Sequence, residues 1–444
     1  MGARYARLAL AAVILFQFST AVSAGPLDDY YLASYGVSGT KSSLKTSSLT
    51  TSEDVPPLDD LNNNGVPDWV ETVASTFDNV YSQYIARGYN PPPVPDGYYH
   101  VYLRSLSAEG NYGLTTSQGA LPTSYPFGVS SFIEIDKDFT ATIFSKYQPI
   151  DSLKITAAHE FHHAIQYGYN YYFDIWYAEA TATWFEDELF DSVNQLYSYI
   201  PAWLKYSTLR LDVPVAYDAT IIGAGYGRWI FNRFLAERYS TDVIRQVWQR
   251  LASAPKPASG DVPMIPVLES AITAQGISHS LSTDFIDFVQ RIYVRDWQTH
   301  TSDIGLIPQF SSHVPQNTYS TYPISALPLN TYNRYSFNIY TLKSSASAPA
   351  NLTVSINADN GITAVLLRKD NGMSTVLGSA TTFPTNITVN NFSSISEVAL
   401  LIINSNNQIF IRAENVSLNN RSGLPRPQSK CSWPVDIHLA SIVQ

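Results

Sequence analysis

Apolar residues recur at helical spacing through the first two thirds of the chain. Positions three and four apart predict a helix over 69–87. The same spacing predicts further helices over 152–167, 176–190, 224–239, 241–252 and 282–296. Runs rich in β-branched and aromatic residues at 100–103 and 130–135 predict two strands. We therefore expect an antiparallel or mixed sheet beside a helical lobe in residues 56–312.

Residues 316–444 show a different pattern. Short apolar runs begin at Asn351, Thr363, Val398 and Gln408, and Asp-Asn-Gly sequences lie between some of them. Short strands separated by frequent turn residues are typical of a β-sandwich. The pattern therefore predicts a second, all-β sandwich domain after a boundary near residue 316.

The first 24 residues have the pattern of a secretory signal peptide. Arg4 and Arg7 precede the apolar run 8–16, and small residues then lead to Ala24. This run is shorter than the roughly 20 apolar residues needed to span a bilayer, so we favour cleavage over a membrane anchor. We expect a secreted, extracellular protein that has no membrane association once the signal is removed.

Composition limits the remaining possibilities. Residues 25–55 are rich in Ser and Thr without apolar periodicity, which predicts a flexible linker, with a short propeptide as the alternative. The only cysteine, Cys431, excludes an intramolecular disulfide, so bound metal is a natural means of stabilising a secreted chain. A net charge of −10 without a basic stripe argues against nucleic acid as a partner.

The run His159-Glu160-Phe-His162-His163 lies within the predicted helix 152–167. Positions four apart share one face of a helix, so His159 and His163 can bind one metal ion. His162 is rotated by about 100° from its neighbour, and we expect it to pack or to support the ligands. Glu160 can reach a water on zinc, which lowers the pKa of that water to about 7, so we predict that Glu160 is the general base.

Two histidines leave a catalytic zinc one protein ligand short. The spacing that would supply a third histidine is not present, because position 169 is Tyr. Glu179 and Glu186 share one face of the predicted helix 176–190 and are the candidates. We prefer Glu179, because small residues beside it allow two helices to approach closely. The run Glu-Asp-Glu at 186–188 has the composition of a solvated helix end.

These residues resemble the gluzincin metallopeptidases, in which a His-Glu-x-x-His helix is followed by a glutamate in a Glu-Ala-x-Ala context. Here that context is Glu179-Ala-Thr-Ala. Over about residues 56–300 the chain also resembles secreted metalloproteases that carry an Asp-x-Asn-x-Asn-Gly-x-Pro-Asp sequence and a downstream β-domain. In well-known gluzincins an aspartate lies four residues after the glutamate and orients a zinc-bound histidine, whereas here that position is Thr183.

The resemblance implies a fold and a set of roles. The fold is an α+β zincin-like catalytic domain, a sheet plus a helical lobe over 56–312, followed by the all-β sandwich over 316–444. The implied Zn²⁺ ligands are His159, His163 and Glu179, with Glu160 as the base.

Two further elements concern the substrate. Tyr226 lies at the start of a predicted helix and can donate a hydrogen bond to a developing oxyanion. With 30 tyrosines in the chain, a packing role is the alternative. The run 130–135 is either an edge strand that pairs with a peptide substrate or a core strand.

Residues 60–71 match the twelve-residue calcium loop, with a glycine at position 6. Its oxygen ligands would be Asp60, Asn62, Asn64, the carbonyl of Val66, Asp68 and Glu71. We predict a structural Ca²⁺ site of weak affinity, with an Asn-rich turn before a helix as the alternative. Sequons at Asn351, Asn386, Asn391, Asn415 and Asn420 would place glycans on the β-domain if the source is eukaryotic.

The sequence thus predicts a secreted enzyme that uses zinc to hydrolyse peptide bonds in a protein or peptide substrate. One alternative is a non-catalytic binding protein with a structural zinc, whose β-sandwich recognises glycan or matrix. Glu160 argues against it, because a structural site has no use for that carboxylate. A zinc hydrolase acting on a non-peptide bond is the other alternative.

Overall fold

The computed structural model describes residues 12–16, 54–94, 99–120, 125–212, 225–276, 278–324, 330–345, 348–370, 373–407 and 411–419. Cys431, Asn420 and nearly all of the predicted linker 25–55 lie outside these ranges. Within them, no helix is both long enough and apolar enough to cross a membrane.

The helical part of the fold follows the predicted periodicity closely. The α-helices of the described residues are α1 (Asp68–Ala86), α2 (Pro149–Tyr169), α3 (Ile175–Leu189), α4 (Ile200–Lys205), α5 (Trp229–Arg238), α6 (Asp242–Ala252), α7 (Met264–Thr273), α8 (Leu281–Val294) and α9 (Phe310–His313). The segments 69–87, 152–167, 176–190, 241–252 and 282–296 are confirmed as helices within a few residues at their ends. In the segment predicted over 224–239, residues 225–226 are helical, a turn interrupts the helix at 227–228, and α5 begins at Trp229. The helices α4, α7 and α9 were not predicted.

The first sheet is mixed, as predicted. It contains β1 (Ala12–Phe16), β2 (Tyr99–Arg104), β3 (Gly113–Ala120) and β4 (Val129–Asp136) in the order β1-β2-β4-β3. β2 and β4 are parallel, and the other pairs are antiparallel. β4 is internal, so the edge-strand interpretation of 130–135 is wrong, and β3 lies at the edge.

β1 lies inside the segment predicted to be a signal peptide, and its backbone pairs with β2. Cleavage after Ala24 stays a prediction. Such cleavage would remove β1 and leave β2 at the second edge of the sheet.

The C-terminal third is rich in β-strands, as predicted. Its strands are β5 (Thr318–Tyr319), β6 (Asn330–Tyr332), β7 (Ser336–Lys343), β8 (Leu352–Ala358), β9 (Ile362–Asp370), β10 (Met373–Ala380), β11 (Thr385–Val389), β12 (Glu397–Asn404) and β13 (Ile411–Asn419). They form one sheet of order β10-β9-β12-β7-β5 and another of order β11-β8-β13-β6. Residues of both sheets share one hydrophobic cluster.

The larger of these two sheets is buried on both faces. In β12, Leu400 and Ile402 join the cluster shared by the two sheets, whereas Leu401 and Ile403 join the core of the helical lobe. Side chains alternate between the faces of a strand, so burial of both faces explains why β12 is a continuous apolar run. The β-rich region therefore continues the core of the helical lobe across the predicted boundary.

α2 is the central element of the helical lobe. It contacts α1, α3 and α6, and also β3 and β4 of the mixed sheet. Its buried residues include Ala157, Phe161 and Ala164. Proline can start a helix because the first backbone N–H groups have no partner within the helix, and Pro149 begins α2. This packing holds α2 from several sides and fixes the direction of its remaining, polar face.

Candidate metal centre

The structure brings together three of the side chains that were predicted to bind metal. His159 and His163 lie one turn apart on α2, with their ring centroids 4.8 Å apart. Glu179 of α3 lies between them: its Oε2 is 3.2 Å from His159 Nε2, and its Oε1 is 3.6 Å from His163 Nε2. One ligand atom from each of the three lies within 4.8 Å of the others, so this group could hold a metal ion.

Small residues of α3 allow this close approach. Ala178, Ala180 and Ala182 are all buried, and α2 and α3 are in contact along their length. The link between the two helices is short, from Asn170 to Asp174. The preference for Glu179 over Glu186, which rested on these alanines, agrees with the geometry.

The outer nitrogen of each histidine is held by an oxygen acceptor. His159 Nδ1 donates to Glu186 Oε1 over 2.8 Å, and His163 Nδ1 donates to Gln166 Oε1 over 2.8 Å. Gln166 is held in turn by the hydrogen bond from its Nε2 to the Ala178 carbonyl oxygen, 3.1 Å away. With a proton on Nδ1, the neutral ring presents the lone pair of Nε2, which is the arrangement that metal-binding histidines require.

Glu186 is not a solvated residue, so that interpretation is wrong. It is only 6 % exposed and lies seven residues after Glu179, two turns along the same face of α3. The two glutamates therefore reach the two nitrogens of the same ring of His159. Glu186 accepts the hydrogen bond from His159 Nδ1 and so orients that ring. Thr183 is buried, and its hydroxyl has no hydrogen-bond partner among the described residues.

The separations between the histidine nitrogens and the Glu179 carboxylate are of the size found between ligands of one small ion. Ligands at about 2.0–2.2 Å from zinc lie about 3.4 Å from one another in a tetrahedron. The two nitrogen–oxygen separations, 3.2 Å to Glu179 Oε2 and 3.6 Å to Glu179 Oε1, lie on either side of that value and involve different oxygens of the carboxylate. The donor set of two imidazoles and one carboxylate leaves one tetrahedral position without a protein ligand.

The electrostatics of the site favour positive charge. Burial lowers the pKa of His159, but the hydrogen bonds to Glu179 and Glu186 outweigh it and hold that pKa well above its ordinary value. Burial also lowers the pKa of His163, and the carboxylate of Glu179 reverses that effect. The pKa of Glu179 is correspondingly low, because the two histidines outweigh its burial. Together these shifts describe a buried position where a cation is stabilised.

Glu160 lies beside this group, against the edge strand β3. Its Oε2 accepts a hydrogen bond from Thr115 Oγ1 over 2.7 Å, and it is 7 % exposed. A Cβ at Gly113 would lie 2.7 Å from Glu160 Cγ and 2.7 Å from Thr156 Cγ2. Only glycine therefore lets β3 come this close to α2, and Thr115 can hold the carboxylate because of that approach.

His162 points away from the other histidines, as predicted from the helix geometry. It is fully buried and stacks on Tyr84, and its Nε2 lies 3.2 Å from Thr181 Oγ1. Burial, together with the neighbouring histidines, lowers its pKa well below the ordinary value, so the ring is neutral. Its role is to pack α2 against α1 and α3.

Tyr226 also reaches the site. Its ring centroid lies 6.2 Å from that of His159. The charge of Glu179 is the largest cause of a pKa well above the ordinary value for Tyr226, with burial second. Its hydroxyl therefore stays protonated at neutral pH and can donate a hydrogen bond near Glu179.

The predicted calcium loop leads directly into α1, whose first residue is Asp68. The carboxylate of Asp60 accepts from the backbone N–H groups of Asn64 and Gly65, and Gly65 has a φ of 91° that favours glycine. The side-chain amides of Asn62 and Asn64 both lie within hydrogen-bond distance of Glu71. Hydrogen bonds thus link four of the residues predicted to bind calcium: Asp60, Asn62, Asn64 and Glu71.

A scan against models of protein families and a search of curated proteins found no match for this chain. The interpretation of the site therefore rests on its own geometry and chemistry.

Proposed function

We propose that this protein is a secreted zinc metallopeptidase of the gluzincin type with a zincin-like catalytic region. One observation carries the proposal: the Nε2 atoms of His159 and His163 and the carboxylate of Glu179 lie close together. In addition, a hydrogen-bond acceptor orients each histidine, and Glu160 directly follows His159 in the chain. Two imidazoles and one carboxylate are the donor set of catalytic rather than structural zinc sites. Secretion is supported by the signal-like pattern of residues 1–24.

The residues of the site have separate tasks in hydrolysis. Zinc, when bound, supplies an open position at which the pKa of water falls to about 7. Glu160, held by Thr115, accepts a proton from the attacking water and delivers it to the leaving amine. Tyr226 donates a hydrogen bond to the oxygen on which negative charge develops. Glu186 and Gln166 keep the two imidazoles in their ligating tautomer.

The substrate in this proposal is an extended peptide. β3 is at the edge of its sheet and contacts Glu160 through Thr115. The outer backbone groups of an edge strand are available to pair with another chain. A peptide laid along β3 would therefore bring a peptide bond next to the base. In this proposal the strand that pairs with the substrate is Gly113–Ala120 rather than 130–135.

The proposal is tested by proteolysis of casein with purified protein. We expect cleavage that 1,10-phenanthroline abolishes and that added Zn²⁺ restores, because the chelator removes the ion that the site needs. The non-chelating isomer 1,7-phenanthroline is the control and should have no effect. Cleavage that persists in protein shown by metal analysis to be zinc-free would refute the proposal, and so would the failure of the zinc-loaded protein to cleave any member of a peptide library.

We also propose that residues 60–71 bind Ca²⁺ as a structural ion. Calcium should raise the midpoint of thermal unfolding in the wild type, because an ion that binds only the folded state stabilises it. Glu71→Gln should remove most of that rise, since Glu71 supplies the position-12 carboxylate. Differential scanning calorimetry with and without CaCl₂ measures both, with Glu397→Gln as the control. An equal rise in the Glu71→Gln variant would contradict the assignment.

A further inference from the structure

A second group of metal-ligand side chains lies at the C-terminal end of α3. It consists of Asp187, Asp191, His300 and Asp303, and one ligand atom from each lies within 4.8 Å of all the others. Asp187 belongs to α3, whereas His300 precedes the 3₁₀-helix Thr301–Leu306, which carries Asp303. The group therefore joins two segments that are more than a hundred residues apart in the chain.

The position of His300 leaves this group with excess negative charge. Its Nε2 lies 3.5 Å from Glu188 Oε1, whereas its Nδ1 lies 3.5 Å from Asp187 Oδ2 and contacts Asp191 Oδ1. Carboxylates accept hydrogen bonds, so an Nδ1 that faces aspartates needs either a proton or a metal ion. A proton on His300 would supply a single positive charge against the carboxyl groups of Asp187, Glu188, Asp191 and Asp303, of which Asp187 has its pKa raised by burial to about 7.

Arg233 does not neutralise this group directly. It donates to the hydroxyl of Tyr197 over 3.1 Å, and that hydroxyl donates to Asp187 Oδ2 over 3.4 Å. The guanidinium of Arg233 is itself paired with Glu237, whose Oε1 lies 3.2 Å from Nε. Glu237 also pairs with Arg291, and the charge of Arg233 acts on Asp187 only through space, where it lowers the pKa against the effect of burial.

Asp187 provides an independent indication of a ligand. It is 1 % exposed, and its Oδ1 has no hydrogen-bond partner among the described residues. The amide oxygen of Asn194 is likewise without a partner in this part of the chain, although its Nδ2 donates to Asp303 Oδ1 over 3.3 Å. Buried acceptors are costly unless something satisfies them, and a cation satisfies several at once.

We propose that Asp187, Asp191, His300 and Asp303 bind a second divalent cation. Carboxylate oxygens suit Mn²⁺, and imidazole suits Zn²⁺, whereas Ca²⁺ takes oxygen ligands. The mixed set therefore selects Zn²⁺ or Mn²⁺. Glu188 Oε1 lies 3.5 Å from His300 Nε2, so it favours a proton on that nitrogen and leaves Nδ1 as the ligating nitrogen, as carboxylates commonly do for metal-bound histidines.

This cation would stabilise the candidate metal centre without being part of it. Asp187 follows Glu186 in α3, and Glu186 holds the Nδ1 of His159. A cation that joins the end of α3 to the segment 300–303 therefore fixes the position of Glu186. The proposal does not depend on peptidase activity, because it concerns only metal binding and the end of one helix.

The proposal is tested by counting metal ions. Full-length protein is stripped of metal, dialysed to equilibrium against ZnCl₂ or MnCl₂, and analysed by inductively coupled plasma mass spectrometry. We expect two equivalents of Zn²⁺ per wild-type chain, and one equivalent in His300→Ala, because the first centre is intact in that variant. Asp191→Asn, whose side chain is 61 % exposed, should weaken the second site without disturbing the core. When the protein is dialysed against MnCl₂, any Mn²⁺ that the wild type binds at the second site should be lost in His300→Ala and weakened in Asp191→Asn.

The exposed His313 supplies the matched control, and His313→Ala should keep two equivalents. The equivalent retained in His300→Ala shows that the variant is folded. One equivalent of Zn²⁺ in the wild type, with no Mn²⁺ bound, would overturn the proposal, and His300 would then be a protonated ion-pair partner. A second equivalent that survives both His300→Ala and Asp191→Asn would overturn it as well.

Discussion

Glu160→Gln is expected to lower kcat for peptide hydrolysis by about 10²–10⁴-fold while the protein keeps its zinc. The amide has nearly the shape of the carboxylate and can still accept a hydrogen bond from Thr115. However, it cannot accept the proton of the attacking water. Glu160 is not among the three side chains that converge on the ion, so binding of the metal should be unaffected. Initial rates on a fluorogenic peptide, together with zinc content, measure both effects.

Tyr226→Phe is the comparison variant for this experiment. It removes one hydroxyl from the site and should lower kcat by about 10²-fold with little change in KM, because the donor acts on the developing oxyanion. Full activity of the Glu160→Gln variant would contradict the assignment of the base. Loss of zinc from Glu160→Gln would show instead that the carboxylate serves the metal rather than the water.

Glu179→Gln and Glu186→Gln are expected to weaken zinc binding to different degrees. Glu179 is the proposed third ligand of the ion, so its loss should abolish stoichiometric binding. Glu186 acts through His159, and loss of such a partner weakens metal binding by about 10–100-fold. Competition with a chromophoric chelator of known affinity measures the two dissociation constants.

Glu397→Gln is the matched control for the two glutamates, because Glu397 lies on β12 in the β-rich region. It should bind zinc as the wild type does. Equal affinities for the Glu179→Gln and wild-type proteins would contradict the ligand assignment. A greater loss of zinc affinity in Glu186→Gln than in Glu179→Gln would show that Glu186 is the ligand and Glu179 the supporting residue.

The three side chains that could hold a metal ion were predicted from the sequence because their relation is local. A spacing of four residues puts His159 and His163 on one face of a helix wherever that helix lies. Glu179 was identifiable because alanines beside it allow the next helix to approach. The helices with strong apolar periodicity, such as α1 and α8, were predicted for the same reason.

The supporting residues were not predictable, because their roles depend on tertiary packing. The run at 186–188 has the composition of an exposed helix end, and only the fold around α3 buries Glu186 beneath His159. β3 was not predicted, because its Gly-, Ser- and Thr-rich sequence lacks a strand pattern. The same composition lets β3 support the site, because Gly113 permits contact with α2 and Thr115 donates a hydrogen bond to Glu160.

The second metal-ligand group has no signal in the sequence, because the segments that form it are far apart. Asp187 and Asp191 lie at one end of α3, and nothing in the local pattern relates them to His300. The continuous core between the helical lobe and the β-rich region was missed for a similar reason. An apolar run such as β12 shows that a strand is buried, but not what covers each face.

Anomalous diffraction from crystals of the zinc-loaded protein, recorded on both sides of the zinc absorption edge, tests the central claim most directly. We predict a zinc peak at about 2.0–2.2 Å from His159 Nε2, His163 Nε2 and a Glu179 oxygen, with a water molecule as the fourth ligand. The absence of a zinc peak between these side chains, or a fourth protein ligand that closes the coordination sphere, would contradict the account.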